Sequence, residues 1–91
     1  IYLKKIVRER DEHKCQLCSV PQVECIKKLS IHHIDYNKKN NNINNLITLC
    51  GSCNCKVNKD REFWAEFFME KINKMNEGVK EKFLQTIKII K

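Results

Sequence analysis

Leu29-Ser-Ile-His-His-Ile-Asp35 lies between two cysteine knuckles, Cys15-Gln-Leu-Cys18 upstream and Cys50-Gly-Ser-Cys53 downstream, and the way these segments join decides the fold. Each C-x-x-C turn presents two sulfurs to one side of an ion, and two such turns complete a tetrahedron. Cys15, Cys18, Cys50 and Cys53 are therefore the expected ligands of a structural Zn²⁺, in a site closed to substrate. His32, His33 and Asn54, which directly follows the second knuckle, have no part in that tetrahedron. Enclosed by a loop that the zinc ties shut, they suit a second, open metal site beside a general base. Cys25 and Cys55 fall outside the pattern and read as ordinary thiols, with Cys25 and His13 as the alternative zinc ligands.

Outward from this centre the pattern predicts a zinc-tied β-hairpin flanked by helices. Residues Ile1 to Glu12 set Tyr2, Leu3, Ile6 and Val7 at helical spacing among basic neighbours, the mark of a short amphipathic helix. The first knuckle and Pro21 then form a loop, and Leu29 to Asp35 is β-prone. Asn37 to Asn45 is polar, and every residue from Asn40 to Asn45 except Ile43 is Asn, so this segment reads as the turn before a second strand, Leu46 to Cys50. Gly51 and Ser52 allow a tight knuckle into the next helix. From Cys53 onward, Phe63, Trp64, Phe67, Phe68, Ile72 and Met75 recur at three- and four-residue steps, which reads as the buried face of a helix rather than a stacking platform. Asn76 and Gly78 look like its end, and a last helix, Val79 to Ile90, is expected to pack back on it.

The chain has 91 residues, one domain's worth, and a metal staple is a natural supplement to so small a core. Its 18 Lys and Arg against 11 Asp and Glu give a formal net charge of +7, which favours a polyanion such as DNA. Lys4, Lys5, Arg8, Arg10, Lys38, Lys39 and Lys56 are the candidate phosphate contacts. An anionic membrane surface ranks lower, because no stretch approaches a transmembrane length. Cysteines grouped in C-x-x-C pairs point to metal rather than disulfides, and so to a cytoplasmic, reducing setting.

The ordered set Cys15-x-x-Cys18, His32-His33-Ile34, Asn45-Leu46 and Leu49-Cys50-x-x-Cys53-Asn54 closely resembles the HNH endonuclease family. The resemblance covers roughly residues 8 to 60, and the aromatic segment from Asp60 is similar to the helical extension of phage- and mobile-element-type members. It implies a small α+β fold: a ββα-metal finger, meaning a zinc-tied hairpin followed by a helix, with an N-terminal helix and a C-terminal helical extension over about 61 to 91. It further implies His33 as general base, His32 and Asn54 as ligands of a catalytic Mg²⁺ or Mn²⁺, and Asn45 as the residue that holds the loop. Asn58, one turn beyond Asn54, stands where some relatives have a further ligand. The chain carries Asn54 where the family's name residue is His, and neither His32 nor Asn54 brings a carboxylate. Phosphate and water oxygens are therefore expected to complete the ion's shell, as suits Mg²⁺.

The chemistry independently suits these residue types. Phosphodiester hydrolysis needs a nucleophilic water, charge stabilisation at phosphorus and help for the leaving oxygen. A neutral imidazole accepts a proton near neutral pH. Adjacent strand residues point to opposite faces, so His32 and His33 serve one site only where the strand ends or bulges. Asn54 has a second reading, as the cap of the helix that starts there. The leading expectation is a metal-dependent DNA endonuclease; the alternative is a non-catalytic zinc-ribbon DNA-binding module, which would have no need of the His32, His33 and Asn54 set. A thiol redox protein is set aside for want of a βαβ pattern.

Overall fold

The structure is a computed structural model that describes residues 2–90, with side chains described as far as residue 77. It is a small α+β arrangement: α1 (Tyr2–Arg10), β1 (Ser30–His33), β2 (Leu46–Leu49), α2 (Gly51–Lys56) and α3 (Arg61–Ile90), with single 3-10 turns at Gln22–Glu24 and Ile43–Asn45. The strands pair antiparallel, Ser30 opposite Leu49 and His33 opposite Leu46. All four residues of β2 are buried rather than alternating. A strand buried throughout must be covered on both faces, and α1 and α2 both pack against it. The core gathers Cys15, Ile34, Ile47, Leu49, Cys53, Val57, Phe68 and Ile72, so two of the knuckle cysteines are core residues as well. Among the described residues no helix is long and apolar enough to cross a membrane.

α1 stops at Arg10 because the chain turns sharply there, Glu12 and His13 both adopting left-handed φ of 59° and 54°. The turn carries Asp11 inward to 1% exposure. Arg10, a candidate phosphate contact, also holds the fold together. Its Nε and Nη2 donate to the two Asp11 carboxylate oxygens at 2.8 and 3.0 Å, while Nη1 donates to the Ile43 carbonyl and Nη2 to that of Leu46. Asp11 Oδ2 also accepts from the Thr48 backbone N–H at 2.9 Å, in the middle of β2. Removing the acid orphans a buried amide and strips the guanidinium of its counter-charge. Asp11→Ala is therefore expected to lower stability by about 3 kcal/mol, since breaking a buried pair from one side costs roughly 3–5 kcal/mol. Chemical denaturation reads this as a fall in midpoint at constant slope, and an unchanged midpoint would show the pair to be dispensable.

The helical half differs from the expected plan in three respects. The helix anticipated from Cys53 is divided, because the polar step Asn58-Lys59-Asp60 interrupts it and Asp60 takes a left-handed φ of 57°. Beyond that break, α3 runs without interruption through Asn76 and Gly78, so the anticipated last helix does not fold back on its predecessor. An interior Gly costs only about 1 kcal/mol relative to Ala, and no left-handed residue or Pro follows it to stop the helix. The expected apolar positions Val79, Phe83, Leu84, Ile87 and Ile90 lie outside the residues whose side chains are described. Thirdly, the aromatic face is only half buried: Phe68 is fully enclosed, whereas Phe63 and Phe67 remain 52% and 41% exposed. A hairpin of two short strands is too narrow to cover more than one row of a helix.

Candidate functional site

The two knuckles meet at the Leu49 end of the hairpin, where the four cysteine sulfurs all lie within 4.8 Å of one another. A tetrahedron of 2.3 Å Zn–S bonds has edges of about 3.8 Å. The Cys18 and Cys50 sulfurs are 3.7 Å apart. The backbone N–H groups of Leu17 and Cys18 point at Cys15 Sγ, and that of Cys53 at Cys50 Sγ, as thiolate ligands require. Burial pushes the Cys15 thiol up, yet donors from the backbone of Cys18, Cys50 and Leu17 outweigh it and bring the pKa down to about 7. Burial and the neighbouring thiols push Cys53 the other way. A thiolate crowded against protonated thiols is relieved by a cation, and the cluster is compatible with a structural metal such as zinc. His13, Cys25 and Cys55 stand outside it.

At the other end of the hairpin, His32, His33, Lys38, Asn54 and Asn58 line one cleft of about 540 Å³. The two histidines share it because β1 ends at His33. Past the strand, Tyr36 takes a left-handed φ of 62°, and its hydroxyl donates to the Val57 carbonyl. Its ring lies 4.9 Å from that of His32, edge-on. Phe68 closes the far side of His32 at 5.8 Å, leaving the imidazole 6% exposed. Burial above all, then the charges of His33 and Arg61, push the His32 pKa down to about 4, so the ring is neutral at physiological pH. Its Nε2 is buried without a hydrogen-bond partner among the described residues. His33 is half-buried, and its Nε2 lies 3.0 Å from Asn41 Oδ1.

Asn45 lies outside the cleft lining and braces the turn beside it. Its side chain accepts from the Asp35 N–H and donates to Asp35 Oδ1 and the Asn40 carbonyl. Asn40, the backbone of Asn37 and Asn45 together hold the Asp35 carboxyl below the usual carboxylate range. The asparagine run is thus more than compositional bias: Asn37, Asn40 and Asn42 each accept from the N–H two residues on, a chain of Asx turns. Asn54 does not cap α2, since the helix begins at Gly51 and Cys50 is its cap.

The basic residues divide. Lys38 lines the cleft. Lys39 is exposed nearby, Lys56 stands over the Trp64 ring at 5.8 Å, and Arg8 donates to the Leu29 carbonyl at the opposite end of β1. The sequence reading missed the cleft residues Tyr36 and Arg61, and Asn41, which meets His33 from outside the cleft lining. The Arg61 guanidinium lies over the Tyr36 ring, 4.7 Å from its centroid, and lines the cleft. Only Asn41 carried a local signal, its place in the asparagine run; the roles of the other two depend on tertiary packing. No protein-family model, curated protein or solved structure matches this chain.

Proposed function

We propose that this chain is a metal-dependent DNA endonuclease of the HNH type, in which β1, β2 and α2 form a ββα-metal finger. The observation that carries the proposal is the contrast between two neighbouring histidines: His32 is buried and neutral with an orphaned nitrogen, and His33 is accessible and held from one side. A buried imidazole nitrogen with no partner is what a metal bond would satisfy. The residues present therefore fit a divalent ion, with His32, Asn54 and Asn58 as its protein ligands and oxygens of phosphate and water for the rest. Such an ion, Mg²⁺ or Mn²⁺, would neutralise charge developing on the phosphoryl group and on the leaving 3′ oxygen.

The chain's own residues do the proton chemistry. Asn41 Oδ1 can only accept, so His33 carries its proton on Nε2 and keeps the lone pair on Nδ1. Nδ1 takes a proton from the attacking water as the water oxygen bonds to phosphorus. The electrons of the breaking P–O bond pass to the 3′ oxygen, which takes a proton from solvent water, leaving 5′-phosphate and 3′-hydroxyl ends. Lys38 and Arg61 balance the phosphate charge across the cleft, the second preoriented by Tyr36.

Supercoiled plasmid incubated with the protein and Mg²⁺ or Mn²⁺ is expected to be cut, and EDTA to stop it. Plasmid that is bound yet intact with every divalent ion tried would reduce the protein to a binding module. Asn54→Ala is expected to raise the Mg²⁺ needed for half-maximal cleavage on the order of tenfold or more, as loss of a metal ligand does. Its melting temperature should stay near that of the parent, because Asn54 is half-buried and caps nothing. An unshifted metal titration would remove Asn54 from the site.

A further inference from the structure

A second concavity, of about 670 Å³, lies between α1 and the loop that leads into β1. Tyr2, Lys4, Lys5, Arg8, His13 and Lys28 line it, and no carboxylate does among the described residues. Among the described residues Lys4, Lys5 and Lys28 enter no ion pair, and all three are exposed. The groove is braced from within. Gln22 accepts from the Leu29 N–H at 2.8 Å and donates to the Lys27 carbonyl at 3.0 Å, which fixes the segment carrying Lys28. The Gln22 N–H in turn donates to the His13 carbonyl, and Arg8 donates to that of Leu29.

Like charges gathered around a concavity repel one another, and an anion seated among them relieves the repulsion. We infer that this groove is a second nucleic-acid contact, binding the phosphodiester backbone of the same duplex whose cut phosphate occupies the His33 cleft. The identity of the ligand as nucleic acid rests on the nuclease reading; the groove and its charge do not. Leu29 and His33 are four residues apart along one extended segment, or about 13 Å at 3.3 Å per residue. A planar anionic bilayer is the less suitable occupant, because a flat surface does not reach the floor of a concavity.

The test is binding of a fluorescent duplex in EDTA, followed by anisotropy against salt. The variant replaces Lys4, Lys5 and Lys28 with Gln, and a control of equal charge replaces Lys14, Lys71 and Lys74. Each phosphate contact contributes about 0.9 to the slope of log affinity against log salt, so the groove variant is expected to lose between two and three units. The control should lose far less, and the groove variant should weaken binding equally for unrelated sequences. More plasmid should be needed to reach half-maximal cleavage by the groove variant than by the control. Equal losses in the two variants, a parent that does not bind duplex, or binding to phosphatidylserine vesicles but not to DNA would each overturn the inference. If the groove variant alone loses affinity while the parent never cuts, the groove stands and the nuclease reading falls.

Discussion

On the reading of the four-cysteine cluster as a structural zinc site, stripping its metal is expected to abolish the cooperative fold of the domain. Structural zinc in small domains contributes roughly 10–16 kcal/mol on binding, as much as the whole stability of a typical domain, roughly 5–15 kcal/mol. Here the dependence is acute, because Cys15 and Cys53 are themselves core residues, 1% and 8% exposed, and Cys50 caps α2. With no ion to bridge them, four crowded thiols stand unlinked at the point where β2 passes into α2. Cys53→Ser, or treatment with a strong chelator, should therefore remove the thermal transition seen by circular dichroism. Cys25→Ser and Cys55→Ser should melt like the parent, since neither sulfur belongs to the cluster. A Cys53→Ser protein that melts normally with no bound metal would show the cluster to be incidental.

The second large effect is expected at His33. General-base catalysis contributes typically 10²–10⁴ in rate, so His33→Ala should reduce cleavage by about that factor. Its fold should survive, because the ring is half-buried and its one hydrogen bond is to the exposed Asn41. DNA affinity should hardly change, as the basic residues are untouched. Rates are to be compared at saturating Mg²⁺ and saturating plasmid, so that the comparison reports the chemical step. Cleavage at the parental rate would take the base assignment away from His33 and with it the main support for the proposed mechanism.

How much of this was legible in the sequence depends on the range of the signal. The cysteine knuckles and the strand Leu46 to Cys50 stand out because ligand spacing and an apolar run are local properties, and the structure ends the strand one residue earlier, at Leu49. The pairing of His32 with His33 was equally visible, and the ending of β1 at His33 meets the condition under which both can face one cleft. Helix boundaries were read less well. Gly78 resembles a stop signal, yet a helix of 30 residues absorbs it, and local composition does not reveal which glycines are tolerated. Arg10 looked like one more surface cation, because its partners Ile43 and Leu46 lie more than thirty residues away. Tyr36 and Arg61 were hidden for the same reason: a ring stacked beneath a guanidinium from another element leaves no trace in the residues on either side.

The hairpin is held at both ends, by the cysteine cluster beside Leu49 and by Asn45 gripping Asp35 just beyond His33. Because side chains alternate along a strand, a one-residue slip between these grips would turn His32 outward and His33 inward. No intermediate arrangement exists, so the phase of this strand is a two-valued quantity. A population in which either grip is weakened therefore divides into molecules with both imidazoles correctly aimed and molecules with neither. On the nuclease reading, damage of this kind lowers the number of competent molecules and leaves the speed of each one alone.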